Sequence, residues 1–371
     1  NKRESKLAKN AAIILKKNRD KPVLRFHPWI FSGAVQDLQG DPGPGETIMI
    51  LDDRGQFLAW GAYSPLSQIR VRIWSWKKQE LINETFFRHR IAQALDYRGR
   101  IGYRFPMRRL IHAESDGLPG LIVDQYGAVV VVQILSAGVE YWRETIIPIL
   151  VELTGCRSLY ERSDVEVRKL EGLEPRTGLL FGDEVSSRPL EILDGDLVHL
   201  IDVPQGHKTG YYLDQRENRK LIGGYCAGKQ VLDCFSYSGG FALQALAHDA
   251  DQVTLVDQSQ ESLDLAARQI RLNNYANRKV HFQQGDVFEM LRSFRDQSLD
   301  FDLIILDPPK FAPTAALADR AARGYKDINL LAFKLLRPGG MLATFSCSGG
   351  ISREFFLRIL SGAALDAGVN A

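Results

Sequence analysis

Residues 230–257, QVLDCFSYSGGFALQALAHDADQVTLVD, decide the fold. An apolar run (230–235) meets a Ser/Gly turn, a helix-spaced segment starts at Gly239, and a second apolar run ends at Asp257. Short apolar runs alternating with helical spacing are the signature of a parallel strand, helix, strand unit. The pattern repeats downstream as a helix (259–275), strand KVHFQQGD (279–286), strand FDLIILDPP (301–309), a long helix ending at LLRPGG (335–340), and strand MLATFSCS (341–348). Strands this continuously apolar are covered on both faces, so the expected class is α/β, with a Rossmann-like, doubly wound, mostly parallel sheet over 189–371. Ligands in such sheets bind outside the carboxyl ends of the strands. That rule selects Asp233 to Gly240, Asp257, Asp286, Asp307 to Lys310, and Cys347.

Upstream the pattern differs. Residues 11–76 alternate short β-like runs (AAIIL, ETIMILD, FLAWGAY, IRVRIWSW) with turn clusters such as GDPGPGE (40–46), which predicts a small barrel or sandwich. Helical spacing then covers 80–97, strand-like runs return at 109–115, 120–127 and 128–135, and a second helix is expected over 140–155. The segment 77–188 therefore reads as a central α+β domain, with EPRTGLLFGDEVSSRP (174–189) as its exit linker.

At 371 residues the chain has room for two or three cores, and 45% hydrophobic with 25% charged residues is a globular composition. No stretch approaches the roughly 20 apolar residues that span a bilayer, and the first residues lack a signal-peptide core, so a cytoplasmic protein without membrane contact is expected. The cysteines Cys156, Cys226, Cys234 and Cys347 form no C-x-x-C pair, which points away from a disulfide framework and from a metal site. The net charge of +2 is uninformative, but its distribution is not: the first 25 residues carry nine Lys/Arg against two acidic residues, and 88–109 form a second basic cluster. Such clusters either neutralise phosphates or are solvated surface.

The loop after the first strand lacks the G-x-G-x-x-G spacing that brings backbone close to a pyrophosphate. Phe235, Ser236, Tyr237, Gly239 and Gly240 form a glycine turn that opens a helix. Asp257 is placed to hold ribose hydroxyls, and Asp286 to meet an adenine amino group or simply to cap a helix. An adenosine with an amino-acid tail but no diphosphate fits S-adenosylmethionine, whose carboxylate can face helix N-terminal amides. Asp307 closes this cofactor set at the fourth strand.

In Asp307-Pro308-Pro309-Lys310-Phe311 the prolines fix φ and turn the chain away from the sheet. In methyltransferases such a turn holds the base being modified, and on its own it would suit exocyclic or ring nitrogens. Cys347 adds another option. Carbon 5 of cytosine is a poor nucleophile until a thiolate adds to carbon 6, and loss of the carbon 5 proton then expels the thiol. A thiol of pKa about 8.5 needs cations or amides nearby, and Lys310 and the amides of 348–350 are candidates. Cys156 and Cys226 read as small core or surface residues, and Cys234 as packing under the cofactor.

These residues resemble the RlmI-type bacterial 23S rRNA (cytosine-C5) methyltransferases over nearly the whole chain. The resemblance is carried by HPWIFSGAV (27–35), GAYSPLSQIR (61–70), AESDGLPGLIVDQYG (113–127), YERSDVEVRKLEG (160–172), GHKTGYYLDQREN (206–218), CFSYSGGFA, LDPPKF, RGYKDINLLA (323–332) and FSCSGG. It implies a PUA RNA-binding barrel over 1–76, then the central domain, then a class I methyltransferase domain, with 23S rRNA as partner. It implies that Cys347 is the nucleophile and that 206–218 form a hairpin closing over the donor. Lys208 and Tyr212 of that segment, with Pro308, Pro309 and Lys310, are expected on the substrate side. The family continues into a last pair of strands beyond Ala371, which are expected to be missing here. LDPPKF also lacks a second cysteine after the prolines, so Asp307 becomes the candidate for removing the proton or for holding the cytosine amino group or N3. A homodimer remains open. The competing functions are an rRNA guanine ring-nitrogen methyltransferase, for which Cys347 is dispensable, and a non-catalytic RNA-binding ribosome assembly factor. A dehydrogenase ranks last for want of the phosphate loop.

Overall fold

The computed structural model describes residues 11–186, 188–311 and 318–370. It falls into two compact units, one built from the chain up to Gly195 together with Ile201–Leu213, the other from Asp196–Leu200 and Asp214 onward. Residues 1–10 of the basic N-terminal arm lie outside the described residues.

The first unit begins with a single six-stranded sheet around one core of Ile13, Leu15, Ile30, Ile48, Ile50, Val71 and Ile73. One sheet on one core excludes the sandwich alternative. The four β-like runs all form strands, Ala12–Leu15, Thr47–Leu51, Phe57–Tyr63 and Ile69–Ser75, joined by Trp29–Phe31 and Val35–Gln39, which sequence reasoning missed because their alternation is short. A five-stranded sheet follows, from Met107–His112, Leu121–Tyr126, Val129–Ile134, Ser158–Ser163 and Arg176–Gly182. Helices Glu84–Arg100 and Arg143–Thr154 cover it, the first capped by Asn83 accepting from the Phe86 amide. Trp74 of the first sheet lies 5.3 Å from Phe87 of the first helix, so the segments before and after residue 76 share one core.

Two sequence expectations fail here. The helix expected over 140–155 is two helices, Ala137–Tyr141 and Arg143–Thr154, broken at Trp142. The segment 174–189 is not merely a linker, because Arg176–Gly182 pairs antiparallel with Ser158–Ser163. Its glycines looked like loop markers but serve the strand. At Gly182, with φ of 83°, a Cβ would fall 1.8 Å from the Arg157 carbonyl oxygen, so only glycine allows this approach.

In the second unit the alternation holds throughout. Helix α1 (Arg216–Gly223) precedes β1 (Gln230–Cys234), α2 (Gly240–Ala247), β2 (Gln252–Asp257), α3 (Gln260–Leu272), β3 (Lys279–Gln284), α4 (Val287–Asp296), β4 (Phe301–Leu306), α5 (Ala318–Leu335), β5 (Leu336–Thr344) and α6 (Arg353–Ala367). The strands run parallel in the order β3-β2-β1-β4-β5. Successive residues alternate between faces. Leu232, Cys234, Ile304 and Leu306 join a core with α4, α5 and α6, while Val231, Leu303 and Ile305 join one with α2 and α3. The chain order reverses between β1 and β4, and the crevice at their carboxyl ends is where an open α/β sheet takes its ligand.

Candidate active site

From Phe235 to Gly239 the backbone alternates in hand, with φ of 60° at Phe235, 47° at Tyr237 and 73° at Gly239, while Ser236 and Ser238 stay negative. Left-handed Phe and Tyr cost about 1 kcal/mol each, strain that persists only where surroundings impose it. The loop is pinned by the Ser236 amide donating to the Val256 carbonyl (3.1 Å), the Tyr237 amide to Asp257 Oδ2 (2.8 Å), and Gln269 Nε2 to the Ser238 carbonyl (3.1 Å). Gly239 caps α2, and a Cβ there would sit 2.9 Å from that of Ala266 on α3. Alternating hands gather backbone N–H groups on one side of a loop, and the first amides of α2 add the positive end of its dipole. Within the loop the Ser236, Tyr237 and Gly239 amides are already bonded, so the amides left for an anion are those that start α2.

Asp233, on β1 just before this loop, was selected by its place at the strand end but given no role by sequence. Its Oδ2 accepts from the Ala242 amide at 3.1 Å, but Oδ1, fully buried, has no hydrogen-bond partner among the described residues. Burial pushes its carboxyl up to about 8, with Asp307 and Asp257 adding to the rise. Asp257 accepts from the Tyr237 and Ser259 amides, one on each oxygen. Asp286 caps α4, its Oδ1 accepting from Phe288 (2.8 Å) and Glu289 (3.3 Å), while Oδ2 accepts from Gln258 Nε2 (2.8 Å). The capping role weighed from sequence is therefore realised.

After β4 the chain turns at Asp307-Pro308-Pro309. The β4–β5 register pairs Leu306 with Thr344, and the Phe345 amide extends the ladder to the Leu306 carbonyl. This sets Cys347 beside the turn, with Sγ 3.8 Å from the Pro308 carbonyl oxygen. Cys347 is exposed, whereas Cys156, Cys226 and Cys234 are buried. Desolvation pushes the Cys226 thiol up to about 11 and that of Cys234 well above its ordinary value, which keeps both protonated. Pro309 and Lys310 are exposed at the turn, and Pro308 is buried.

Two further residues hold this edge, both inside quoted segments but given no role by sequence. The buried Tyr325 hydroxyl on α5 bonds Ser346 Oγ (3.0 Å) and Ser348 Oγ (2.9 Å), the residues on either side of Cys347. Gln215 Nε2 donates to Asp307 Oδ1 (2.9 Å), and Asn218 of α1 fixes that amide through Gln215 Oε1 (2.6 Å).

Residues 206–218 contain no strand, which corrects the expected hairpin. They form bends and turns that lead into a 3-10 turn, Leu213–Gln215, and α1. Glycine and the left-handed Lys208 (φ 54°) favour tight turns over extended pairing. Lys208 Nζ lies 4.1 Å from the Tyr212 ring centroid, and both belong to the first unit. Phe235, Ser236, Tyr237, Gly239, Gly240, Asp257, Asp286, Asp307 to Lys310 and Cys347 all belong to the second. No cluster of three or more His, Cys, Asp or Glu suited to a metal occurs among the described residues. No described helix is long and apolar enough to cross a membrane.

These groups fit S-adenosylmethionine. The start of α2 suits the tail carboxylate, and the orphaned Asp233 Oδ1 offers an acceptor for its ammonium group. Each Asp257 oxygen accepts one bond and keeps one lone pair, and Asp286 keeps one on Oδ2, for ribose hydroxyls and an adenine amino group.

Comparison with known proteins gives the family. Residues 13–76 match the model of a PUA-like domain, and residues 179–366 that of an S-adenosylmethionine-dependent methyltransferase. The chain is 49% identical to the ribosomal RNA large subunit methyltransferase I of Erwinia tasmaniensis over 96% of its own length and 90% of that protein. It is 50% identical to the protein of the same name from Yersinia pseudotuberculosis, with the same coverage. Among solved structures, an S-adenosylmethionine-dependent methyltransferase from Streptococcus mutans superposes with a TM-score of 0.81 at 22% identity, over 96% of this chain and 90% of that one. A methyltransferase complexed with SAH gives 0.83 at 23% identity, over 95% and 90%. The chain belongs to the S-adenosylmethionine-dependent methyltransferases and, among them, to the ribosomal RNA large subunit methyltransferase I family.

Proposed function

We propose that this chain methylates carbon 5 of a cytosine in 23S ribosomal RNA, with Cys347 as the covalent nucleophile. The observation that carries the reading is the exposed Cys347 thiol, 3.8 Å from the Pro308 carbonyl of the Asp307-Pro308-Pro309 turn, while the other three cysteines are buried. Supporting it, the relatives that share half of this sequence are named as methyltransferases of large-subunit ribosomal RNA.

S-adenosylmethionine supplies an electrophilic methyl group. The loop 235–240, Asp257 and Asp286 hold it, with Asp233 on its amino-acid tail. The cytosine, flipped or already single-stranded, enters against Pro308, Pro309 and Lys310. Cys347 Sγ, as thiolate, forms a bond to carbon 6, and the electron pair released from the 5,6 double bond makes carbon 5 nucleophilic. Once carbon 5 carries the methyl group, Asp307 accepts its proton, the double bond reforms, and the sulfur–carbon 6 bond breaks to return the thiolate. Gln215 fixes Asp307, and Tyr325 fixes the turn that carries Cys347. Lys208 and Tyr212 are assigned to the RNA side.

We assign residues 1–76 to RNA binding as a PUA domain, 77–188 to a central domain and 189–371 to methyl transfer, in a protein working in the cytoplasm. Cys347→Ala is expected to bind S-adenosylmethionine normally while methyl transfer to 23S rRNA falls by a factor on the order of 10³ or more. Near-normal transfer by this variant would remove the nucleophile assignment and favour a nitrogen target. Mapping 5-methylcytosine in rRNA from cells with and without the gene identifies the base.

A further inference from the structure

The basic cluster 88–109 contains seven arginines, and the structure separates them. Five hold carboxylates: Arg88 pairs with Glu152, Arg90 with Glu80, Arg98 with Asp116, Arg100 with Asp96, and Arg109 with Asp124. Among the described residues Arg104 and Arg108 have no carboxylate partner. Both line one open concavity of about 590 Å³, whose walls also include Leu95, Phe105, Pro106 and Gln125.

The concavity is built rather than incidental. Gln125 Oε1 accepts from Arg108 Nε (2.9 Å), and Gln125 Nε2 donates to the Gly127 carbonyl (3.0 Å), which locks the amide. Arg108 Nη1 also donates to the Tyr103 carbonyl (3.0 Å), so the guanidinium is fixed at two points and keeps further N–H donors. The Phe105 ring stands edge-on to Tyr103, centroids 5.1 Å apart. Two guanidinium groups without carboxylates favour a phosphate-bearing ligand, because the guanidinium fork matches phosphate oxygens. An aromatic ring beside them favours a ligand that also has a planar base.

We propose that this concavity holds one unpaired nucleotide of the substrate RNA, with Arg104 and Arg108 on its phosphates and Phe105 stacked on its base. It is a second RNA site, in the unit that does not contain Cys347. The inference rests on the RNA substrate proposed above, and it assigns recognition to two arginines instead of to the whole basic cluster.

The test uses the full chain and a short, unstructured, fluorescein-labelled RNA, with anisotropy read across a salt series. Arg104→Ala with Arg108→Ala should weaken binding and lower the slope of log affinity against log salt by about 0.7 for each phosphate no longer neutralised. Phe105→Ala should weaken binding roughly ten-fold with the slope unchanged. In methyl transfer to 23S rRNA, all these variants should raise KM and leave kcat and S-adenosylmethionine affinity as in the parent. Arg100→Ala, which removes an arginine already paired with Asp96, should change binding little. Unchanged affinity and slope in the double arginine variant would overturn the proposal. Weakening confined to the arginine variants, with Phe105→Ala binding normally, would also overturn it, since that describes a charged surface without a base pocket. If the parent methylates rRNA and the variants match it, only this inference fails. A parent that methylates no rRNA removes the functional reading instead.

Discussion

In the first unit the buried carboxylates Glu161 and Glu171 each hold an arginine, whereas Asp233, as deeply buried at the carboxyl edge of the second unit's sheet, holds none among the described residues. Arg143 grips Glu161 with two donors, and Glu171 also accepts from Ser64 Oγ and the Ala137 amide. Around Asp233 the buried Ser236 and Ser238 hydroxyls likewise find no partner. Satisfied burial fixes a fold. Single unpartnered atoms occur in the first unit too, such as Thr47 Oγ1 and Trp74 Nε1, but where the sheet order reverses they gather beside a strained loop and leave hydrogen-bonding capacity that a ligand can use.

If that contrast is right, the two regions should respond differently to mutation. Glu161→Ala removes the two-point partner of Arg143, leaving only its longer contact with Glu140 (3.5 Å), and should cost about 3 kcal/mol of stability, seen in chemical denaturation. Residual folded enzyme should bind S-adenosylmethionine as before. A loss below about 1 kcal/mol would show that the pair is no structural anchor.

Tyr325→Phe keeps the ring packed against Phe311 (centroids 4.8 Å apart) but removes the hydroxyl shared by Ser346 and Ser348. A small misplacement of the thiol should lower kcat by up to about 10²-fold, with cofactor affinity retained. An unchanged kcat would mean that the serines alone hold the turn.

The last prediction concerns pH. The folded Asp233 carboxyl, at about 8, lies above its unfolded value of about 3.9, so the stability it confers is fully present below pH 4 and is lost as pH rises to about 8. Asp233→Asn should flatten this fall between pH 4 and 8 in denaturation curves, while weakening S-adenosylmethionine binding. A parental slope in Asp233→Asn would place the titration elsewhere.

Much of this was legible in sequence. The five strands of the methyltransferase sheet and the alignment of 235–240, Asp257, Asp286, Asp307 and Cys347 at one edge follow from periodicity, because a parallel sheet buried on both faces leaves only its carboxyl ends for ligands. The strand Arg176–Gly182 was missed because its glycines, which allow close backbone approach, look identical in sequence to loop glycines. Tyr325 and Gln215 escaped, and Asp233 was selected without a role, because their importance lies in partners: 21 and 23 residues away for Tyr325, 92 for Gln215, and none among the described residues for one oxygen of Asp233.

The sequence by itself determined the α/β class, the ligand edge and the choice of Cys347 as the thiol to examine, since hydrophobic spacing and turn residues act locally. Tertiary structure alone decided which polar groups are satisfied. It paired five arginines of one basic cluster and left two facing a concavity, and it buried three thiols while exposing the fourth. Partnership and burial depend on what the folded chain brings within a few ångströms, which no local pattern encodes.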